Sequence, residues 1–564
     1  MTFICFMKKL FQIKLIGLLV VISIISCQDP LPLEDSQLEL ESSSPVQLSS
    51  RTTEAEEGSD TYGFGPQIVL GEELVSAYEV DNMIEAAQSL YPELTHDEVT
   101  SLIATTHLHI KIMVQDTAEH DALGADTTID LYPYPLNYEL ESDGNWYQEW
   151  EEGEFSEGEY PSMYSVVNVE KDLSEFTYEI LDYAHIADQA QNLPETYFEQ
   201  VDWDMLEDEA WNLADEKNGK DTYQERRSKF QPRGQILVDE AVRPPPSFAL
   251  QIRQPVGVDG IKVRARRGLK LSTTHTNSKG SFSMSSRFRG KVRYSIEFES
   301  YNFKIVNAFG FSINYTGPKT TDAWTHTFTW AGEEDWGCAT LVNATGHFDR
   351  MAKSHGLAMP SLRNIKIRPR FTDGRSNAIG MIRHFFPFIG SLYKRADVRL
   401  YMRFGSQARK GTDNLYQLVN HEIAHVSHAE DSPLHFVGYG GAMLGESFAT
   451  GIEWQFTRLS PYSWQIDGFQ DASRTDIIGN DNNDYKYSPM CIDLYDDTNQ
   501  FVLSGGSDEF ADDRIKISWS KIQDALGGSY GLSNFETRLV NRAGTNPIHT
   551  NFLISYYEDI QDNH

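Results

Sequence analysis

The stretch from His421 to Trp454, HEIAHVSHAEDSPLHFVGYGGAMLGESFATGIEW, decides the fold and chemistry expected around it. It begins with His421-Glu422-Ile423-Ala424-His425, the HExxH pattern. Two histidines four residues apart lie one helical turn from each other, so both imidazoles can reach one metal ion. The adjacent glutamate can then take a proton from a water that the metal activates. The pattern predicts His421 and His425 as metal ligands and Glu422 as the general base.

The periodicity around this motif predicts a helix that starts near Thr412, with Thr412 as its N-cap. At about 100° per residue the histidines at 421, 425 and 428 share one face, while a second face is apolar. That apolar stripe consists of Leu415, Val419, Ile423 and Val426. The helix can therefore bury one side while the other faces a cleft. His428 either orients a ligand or caps the helix, and the sequence leaves both roles open.

The third ligand expected of a catalytic zinc site is Glu446. The segment GAMLGESFATGIEWQF predicts a second helix that places Glu446, Thr450 and Glu453 on one face. Pro433 and several glycines between the two helices supply turn residues for a reversal of the chain. We therefore expect antiparallel helices that hold Zn²⁺ through two histidines and one glutamate.

HExxH followed by a glutamate on a second helix resembles the gluzincin metallopeptidases. GESFATGIEW is similar to the EGFA-type segment of their aminopeptidase branch, although Ser447 stands where that branch usually has glycine. The spacing from His425 to Glu446 also falls in the range of the mucin-directed HExxH glycoprotein peptidases. No match to the GxMEN motif of the aminopeptidases is present. The resemblance implies a zincin-like domain with Glu422 as the base, acting as an endopeptidase or a glycoprotein-directed peptidase.

An alternative stays open beside this hypothesis. HExxH arises by chance in a chain of this composition with a probability on the order of a few per cent. A relative can also keep the motif and lose hydrolysis. In that case the chain is a catalytically inactive surface lipoprotein that binds protein or glycan on a zincin scaffold.

The first 27 residues resemble a bacterial lipoprotein signal peptide. Three lysines precede the apolar run LIGLLVVISII, which is too short to span a bilayer. Ile24-Ile25-Ser26-Cys27 is similar to a lipobox, which implies that Cys27 is lipidated. Residues 28–65 are polar and acidic, as expected of a disordered tether. Resemblance to lipoproteins of the Bacteroidetes type implies an outer-membrane anchor in the bacterial cell envelope, facing either the periplasm or the cell surface.

The composition restricts the partners. A formal net charge of -35 argues against nucleic acid and anionic membrane surfaces but does not identify a substrate. The resemblance to the metallopeptidases implies a protein, peptide or glycoprotein substrate. The lipid anchor would be the contact with the membrane. Cys338 and Cys491 remain after lipidation, and they either form a disulfide or stay free.

The length and the patterning predict a multidomain α+β protein. Residues 66–228 form an N-terminal α+β region with a capping box at Thr95 and Glu98 and a strand from Leu108 to Val114. His107 and His109 are expected at the surface of that strand.

Residues 232–315 are expected to form a β-sandwich. THTNSKGSF resembles the turn of carboxypeptidase regulatory-like domains, which implies Asn277 and Gly280 in the turn and Phe282 in the core. The basic run Arg264–Arg267 is expected to be an exposed strand face.

Residues 320–564 are expected to form the zincin-like catalytic domain with a helical lower half. DVRLYMRF, residues 397–404, is the candidate edge strand along the cleft. Candidate donors to the oxyanion of the transition state are Tyr485, Tyr487, Tyr495 and His435.

Overall fold

The computed structural model shows a mixed helix and sheet protein with several separate sheets. It describes residues 68–142, 160–220, 229–242, 252–300, 302–307, 309–358, 365–371, 377–378, 397–404, 408–431, 439–461, 474, 477 and 488–562. The predicted signal peptide, Cys27 and the tether therefore lie outside the described residues. Within these ranges, no helix has the length and apolar character needed to cross a bilayer.

The strands are β1 Val69–Glu73, β2 His107–Ile112, β3 Tyr138–Ser142, β4 Met163–Asn168, β5 Tyr178–Ala184, β6 Arg233–Val242, β7 Ile252–Gly257, β8 Lys262–Arg267, β9 Lys270–His275, β10 Ser281–Ser283, β11 Val292–Glu297, β12 Glu299–Ser300, β13 Phe303–Ile305, β14 Asn314–Thr320, β15 Trp324–Phe328, β16 Ile365–Arg370, β17 Asn377–Ala378, β18 Asp397–Tyr401, β19 Arg403–Phe404 and β20 Ala408–Arg409. The helices are α1 Val80–Leu90, α2 His96–Leu102, α3 Thr117–Ala125, α4 Tyr197–Gln200, α5 Trp203–Lys217, α6 Glu333–Ser354, α7 Thr412–Asp431, α8 Tyr439–Arg458, α9 Met490–Tyr495, α10 Gln500–Leu503, α11 Trp519–Leu526, α12 Leu532–Arg538 and α13 Pro547–Asp562. A short 3₁₀ turn, Ala187–Gln189, and a π turn, Leu539–Ala543, complete them.

The N-terminal region is built around an antiparallel sheet in the order β4-β2-β5. The predicted capping box is confirmed, because the Thr95 hydroxyl accepts from the amide of Glu98 and the Glu98 carboxylate accepts from the amide of Thr95. The expectation of surface histidines is wrong. His107 and His109 are both buried, because β2 is the central strand and other elements cover both of its faces.

Two four-stranded sheets follow the N-terminal region. One contains β10-β6-β15 with β7 also on β6, and the other has the order β14-β11-β8-β9. The sheets pack face to face: the ring centroid of Tyr294 lies 6.1 Å from that of Phe282 and 5.3 Å from that of Trp324. Because β14 pairs with β11 and β15 pairs with β6, the two-sheet unit continues to Phe328, past the expected boundary at 315.

The turn predicted from THTNSKGSF is confirmed locally. The side-chain carbonyl of Asn277 accepts from the amides of Lys279 and Ser281. Gly280 has φ +75°, and a Cβ there would lie 2.0 Å from the backbone oxygen of Ile236, so only glycine fits. Phe282 is buried in the core between the sheets, as expected.

The basic run on β8 is not an exposed face. Arg264 and Arg266 are buried against the N-terminal region, where Arg266 donates to the backbone oxygen of Leu136. Strand geometry sends alternate side chains to one face, and here that face is covered by another part of the same chain.

A third sheet, in the order β12-β13-β16-β18-β17, lies beside the histidine-bearing helix. Its three inner strands are parallel, and the two-residue β17 is antiparallel to β18. The prediction that DVRLYMRF forms the edge strand is therefore wrong. Its strand β18 is not the outermost strand of the sheet, because β17 pairs with its outer side at Val398 and Arg399.

The C-terminal helices pack on the two motif helices, as the predicted helical lower half requires. Trp519 on α11 lies with its ring centroid 6.3 Å from that of Phe448. A Cβ at Gly451 would come within 2.5 Å of the Trp519 ring, so the glycine permits this close approach. Gln523 on α11 donates to the Ser427 hydroxyl, which ties α11 to α7.

Candidate metal centre

The site lies between α7 and α8, which run antiparallel. The contacts show the direction, because Asn420 pairs with Thr457, His421 with Glu453, and His425 with Glu446. The expected N-cap is wrong: Thr412 is already the first residue of α7, and its hydroxyl accepts from the backbone amide of Ala241. That bond fixes the start of the helix against β6.

Three side chains converge on one point between these helices. The Nε2 atoms of His421 and His425 lie 3.2 Å apart, and the Glu446 Oε2 atom lies 3.3 Å from the first and 3.4 Å from the second. All three residues are buried. The predicted ligands are therefore brought together, and they are residues that could hold a metal ion.

The spacing of these atoms fits a small tetrahedral ion. An ion about 2.0–2.2 Å from each ligand atom in tetrahedral geometry separates those atoms by about 3.3–3.6 Å. The three measured separations of 3.2, 3.3 and 3.4 Å are close to that range. Two imidazoles and one carboxylate are also the donor types that zinc accepts. The residues present thus fit a metal by both spacing and chemistry.

A second glutamate fixes the first imidazole. The Glu453 Oε2 atom lies 3.0 Å from Nδ1 of His421 and accepts its hydrogen. A metal ligand at this position would need its proton on Nδ1, where Glu453 accepts it, and its Nε2 lone pair toward the convergence point. Glu453 follows Glu446 by seven residues, about two helical turns, so one face of α8 supplies both carboxylates.

The environment favours ionised Glu446. Without a metal ion, burial raises the pKa of this carboxyl, but the charge of protonated His425 and hydrogen bonds from the Nε2 hydrogens of His421 and His425 outweigh burial and hold the pKa well below its usual value. A charged carboxylate is the form that binds a cation.

Glu422 and His428 are two further polar residues of α7 that the sequence singled out. Glu422 is fully buried and directly follows His421 in the helix. His428 is also buried, and its ring meets Phe448 edge-on at 5.9 Å. Burial, with a smaller contribution from the charge of His425, lowers the pKa of His428 to about 3, so this imidazole is neutral. It lies in the last turn of the helix, which ends at Asp431.

Of the candidate oxyanion donors, the structure describes Tyr495 alone; Tyr485, Tyr487 and His435 lie outside the described residues. The Tyr495 hydroxyl accepts from Gln455, and its ring stacks on Trp519. Gln455 follows Glu446 by nine residues and projects from the opposite face of α8. Tyr495 is therefore directed away from the metal ligands.

Sequence reasoning placed Glu453 on the correct helical face but assigned it no role. The signal was its seven-residue spacing from Glu446, which repeats the same side of a helix.

Cys338 and Cys491 are both buried and free, so the disulfide alternative is wrong.

A scan against protein-family models found no matching family, and a search of curated proteins found no matching relative.

Proposed function

We propose that this chain is a zinc-dependent peptidase, either an endopeptidase or a glycoprotein-directed peptidase. The observation that carries the proposal is the convergence of His421, His425 and Glu446 within 3.4 Å of one another. A helix whose role is only structural has no reason to direct two imidazole lone pairs and a carboxylate at one point, because their mutual desolvation costs free energy.

In this proposal His421, His425 and Glu446 hold Zn²⁺, which when bound supplies a Lewis acid that polarises the peptide carbonyl and acidifies water. Glu422 accepts the proton of the attacking water and then delivers it to the nitrogen of the leaving amine. Its position directly after the first histidine of HExxH supports this role, because that residue is the general base in metallopeptidases with this motif. Burial of Glu422 supports this role, because a base shielded from bulk water can keep the transferred proton within the site.

Glu453 has a positioning role in the same proposal. Its contact with Nδ1 of His421 holds the ring in one orientation and keeps it in one tautomer. His428 stays neutral and contributes no charge that would repel a cation.

The same proposal covers the architecture and the location. The part from α6 onward would be a zincin-like domain, and the two-sheet unit a carboxypeptidase regulatory-like β-sandwich that serves as a spacer or a recognition module. The N-terminal 27 residues would direct the chain to the bacterial cell envelope, where lipidation of Cys27 would anchor it to the outer membrane. Mass spectrometry of the membrane fraction for a diacylated Cys27 peptide tests this part.

The test of the activity uses the full mature chain and its Glu422→Gln variant, with Glu536→Gln on α12 as the matched control. We expect one zinc per chain in all three proteins by elemental analysis. Casein or mucin cleavage should fall about 10²–10⁴-fold in Glu422→Gln, as for loss of a general base, and should be unchanged in the control.

The two hypotheses give different results in this assay. Zinc bound by the parent chain with no cleavage of either substrate would support the inactive binding protein. Equal cleavage by the parent chain and Glu422→Gln would remove Glu422 from the mechanism.

A further inference from the structure

A second site candidate lies away from the metal centre, between the N-terminal region and the two-sheet unit. It is a cavity of about 410 Å³ bounded by β3, the end of α5, β8 and the segments around Gly290 and Lys319. No residue of α7 or α8 lines it. This volume is in the range of pockets that bind small molecules.

The charge of this cavity is opposite to that of the whole chain. Two carboxylates line it, Glu139 and Asp215, and the cationic residues that line it are Lys220, Arg266, Arg267, Lys291, Arg293 and Lys319. The full chain carries a formal net charge of -35. Six cations around one cavity repel one another, so their clustering needs a compensating anion or a structural reason.

The carboxylates of the cavity compensate its buried guanidinium groups only in part, because Asp215 acts on Arg267 through its charge. Glu139 is shared by Lys220 at 3.0 Å and Lys319 at 2.9 Å. Arg266 and Arg267 instead donate to the backbone oxygens of Leu136 and Arg289, which are neutral.

Arg266 supplies an independent sign of a missing partner. It is 8% exposed, and its buried Nε has no hydrogen-bond partner in the described part of the chain. An unpaired buried donor on a charged group costs free energy. Because this Nε is closed to solvent, an anion in the cavity would contact the other donors of the guanidinium group, which lies 5.3 Å from the Tyr134 ring centroid. The guanidinium fork presents its donors in the arrangement that suits a carboxylate, sulfate or phosphate.

The electrostatic repulsion among the cations at the edge of the cavity also favours a bound anion. Burial lowers the pKa of Lys319 in spite of its ion pair with Glu139, and the neighbouring charges of Lys220 and Arg293 act in the same direction. An anion that entered the cavity would relieve that repulsion.

Apolar side chains form part of the remaining wall, beside the polar residues Ser76, Asn137 and Asn218, and this mixed lining favours an organic ligand. Trp211 lies under Arg267, with the guanidinium carbon 3.6 Å from the ring centroid, and Leu74 and Leu140 line the same cavity. A bare inorganic ion would leave most of this volume unfilled. We infer that the cavity binds a small organic anion, about the size of a sugar acid, whose carboxylate, sulfate or phosphate group is held by Arg266 and the neighbouring cations.

The competing explanation is that the cations only join two regions of the chain, as the contact of Lys319 with Glu139 does. The two explanations differ in one measurable property. A structural latch stabilises the fold without taking up a ligand, whereas a binding site gives saturable uptake that depends on Arg266.

The experiment is calorimetric titration of the full mature chain with sodium glucuronate, glucose 6-phosphate and sodium sulfate, each at constant ionic strength. We expect saturable binding of at least one organic anion, with a Kd of about 1 mM or lower. Arg266→Gln should weaken it at least about tenfold, the loss of one charge-assisted bidentate contact. Lys516→Gln, which removes an exposed charge outside the cavity, should change it less than about twofold.

Each other result overturns the proposal. The absence of saturable binding for all three anions would leave the latch as the explanation, and equal binding by Arg266→Gln would place the anion elsewhere. If Arg266→Gln does not fold, the rim variant Lys291→Gln/Lys319→Gln decides by the same criterion. Glu422→Gln should bind the anion like the parent chain, so failure of the peptidase proposal and failure of this one are separable.

Discussion

Two buried polar clusters in this molecule use charge in different ways. Where the N-terminal region meets β8, the Nζ atom of Lys262 lies 2.9 Å from Asp130, 3.0 Å from Glu297 and 3.1 Å from Glu299. Between α7 and α8, the closest contacts are instead among two imidazole nitrogens and a carboxylate oxygen, with no lysine or arginine in the convergent group.

The difference separates a self-neutralising cluster from one suited to an ion. Burial lowers the pKa of Lys262, but its three carboxylates outweigh burial and hold that pKa well above its usual value. The buried ammonium charge is therefore compensated by carboxylates of the same chain. The cluster between α7 and α8 is made of lone-pair donors at coordination spacing, which a cation would satisfy. Three changes test this contrast.

The largest effect is expected from His425→Ala. Removal of one of three ligands should abolish zinc retention after dialysis, because two ligands do not form a closed set. His96→Ala, at an exposed histidine of α2, is the matched control and should retain zinc. Elemental analysis gives the stoichiometry. Retention of one zinc by His425→Ala would show that the metal is held elsewhere.

Lys262→Met should act on stability and leave the metal untouched. It removes the cation that three buried carboxylates share, although Glu297 keeps Arg264 at 3.5 Å and Glu299 keeps Lys304 at 3.2 Å. Loss of one partner of a buried ion pair costs about 3–5 kcal/mol. Urea unfolding should shift by that amount while the zinc stoichiometry stays at the parent value. The exposed pair of Lys516 with Asp497 is the comparison, and Lys516→Met should cost less than about 1 kcal/mol. A similar cost for both lysines would contradict the assigned role.

The sequence predicted the metal ligands because their geometry is local. The four-residue spacing in α7 fixes two imidazoles on one face of that helix. To bring Glu446 to these imidazoles, the chain needs only a second helix packed beside the first. Both helices and the packing of α11 beneath them follow the apolar periodicity of the chain, with Trp519 and Leu526 on the buried side.

Long-range burial could not be predicted in this way. His109 and Arg264 alternate with apolar residues in β2 and β8, a pattern typical of a strand with one solvent-exposed face. Both are buried because another segment covers that face, and Arg264 satisfies its guanidinium with the backbone oxygen of Leu131 and the side chain of Asn314. Periodicity within one strand carries no information about a partner that lies more than a hundred residues away.

The buried histidines of the N-terminal region predict a pH effect on stability. Burial lowers the pKa of His107, His109 and His185 to about 4. Below the unfolded value of about 6.5, the unfolded chain binds protons that the folded chain excludes, so stability falls with pH until about pH 4. One such imidazole contributes at most about 3 kcal/mol over that window.

The measurement is urea unfolding between pH 7 and pH 4.5, for the parent chain and for His185→Gln. We expect the variant to lose less stability over this range, because one buried imidazole no longer titrates. The exposed His96→Gln is the control and should follow the parent curve. Identical pH slopes for the parent chain and His185→Gln would show that this imidazole titrates normally.

The smallest effect, and the one that best sharpens the contrast, is expected from Glu453→Gln. The amide oxygen can still accept from Nδ1 of His421, so the ring keeps its orientation, but the negative charge that strengthens the imidazole as a ligand is lost. Zinc affinity should fall about 10–100-fold with the stoichiometry unchanged at saturating metal. Competition with a zinc-binding dye measures this affinity, and Gln455→Glu, on the opposite face of α8, is a control for charge on the same helix. If Glu453 were only a structural partner like the carboxylates around Lys262, its substitution would lower the unfolding free energy and leave the zinc affinity unchanged.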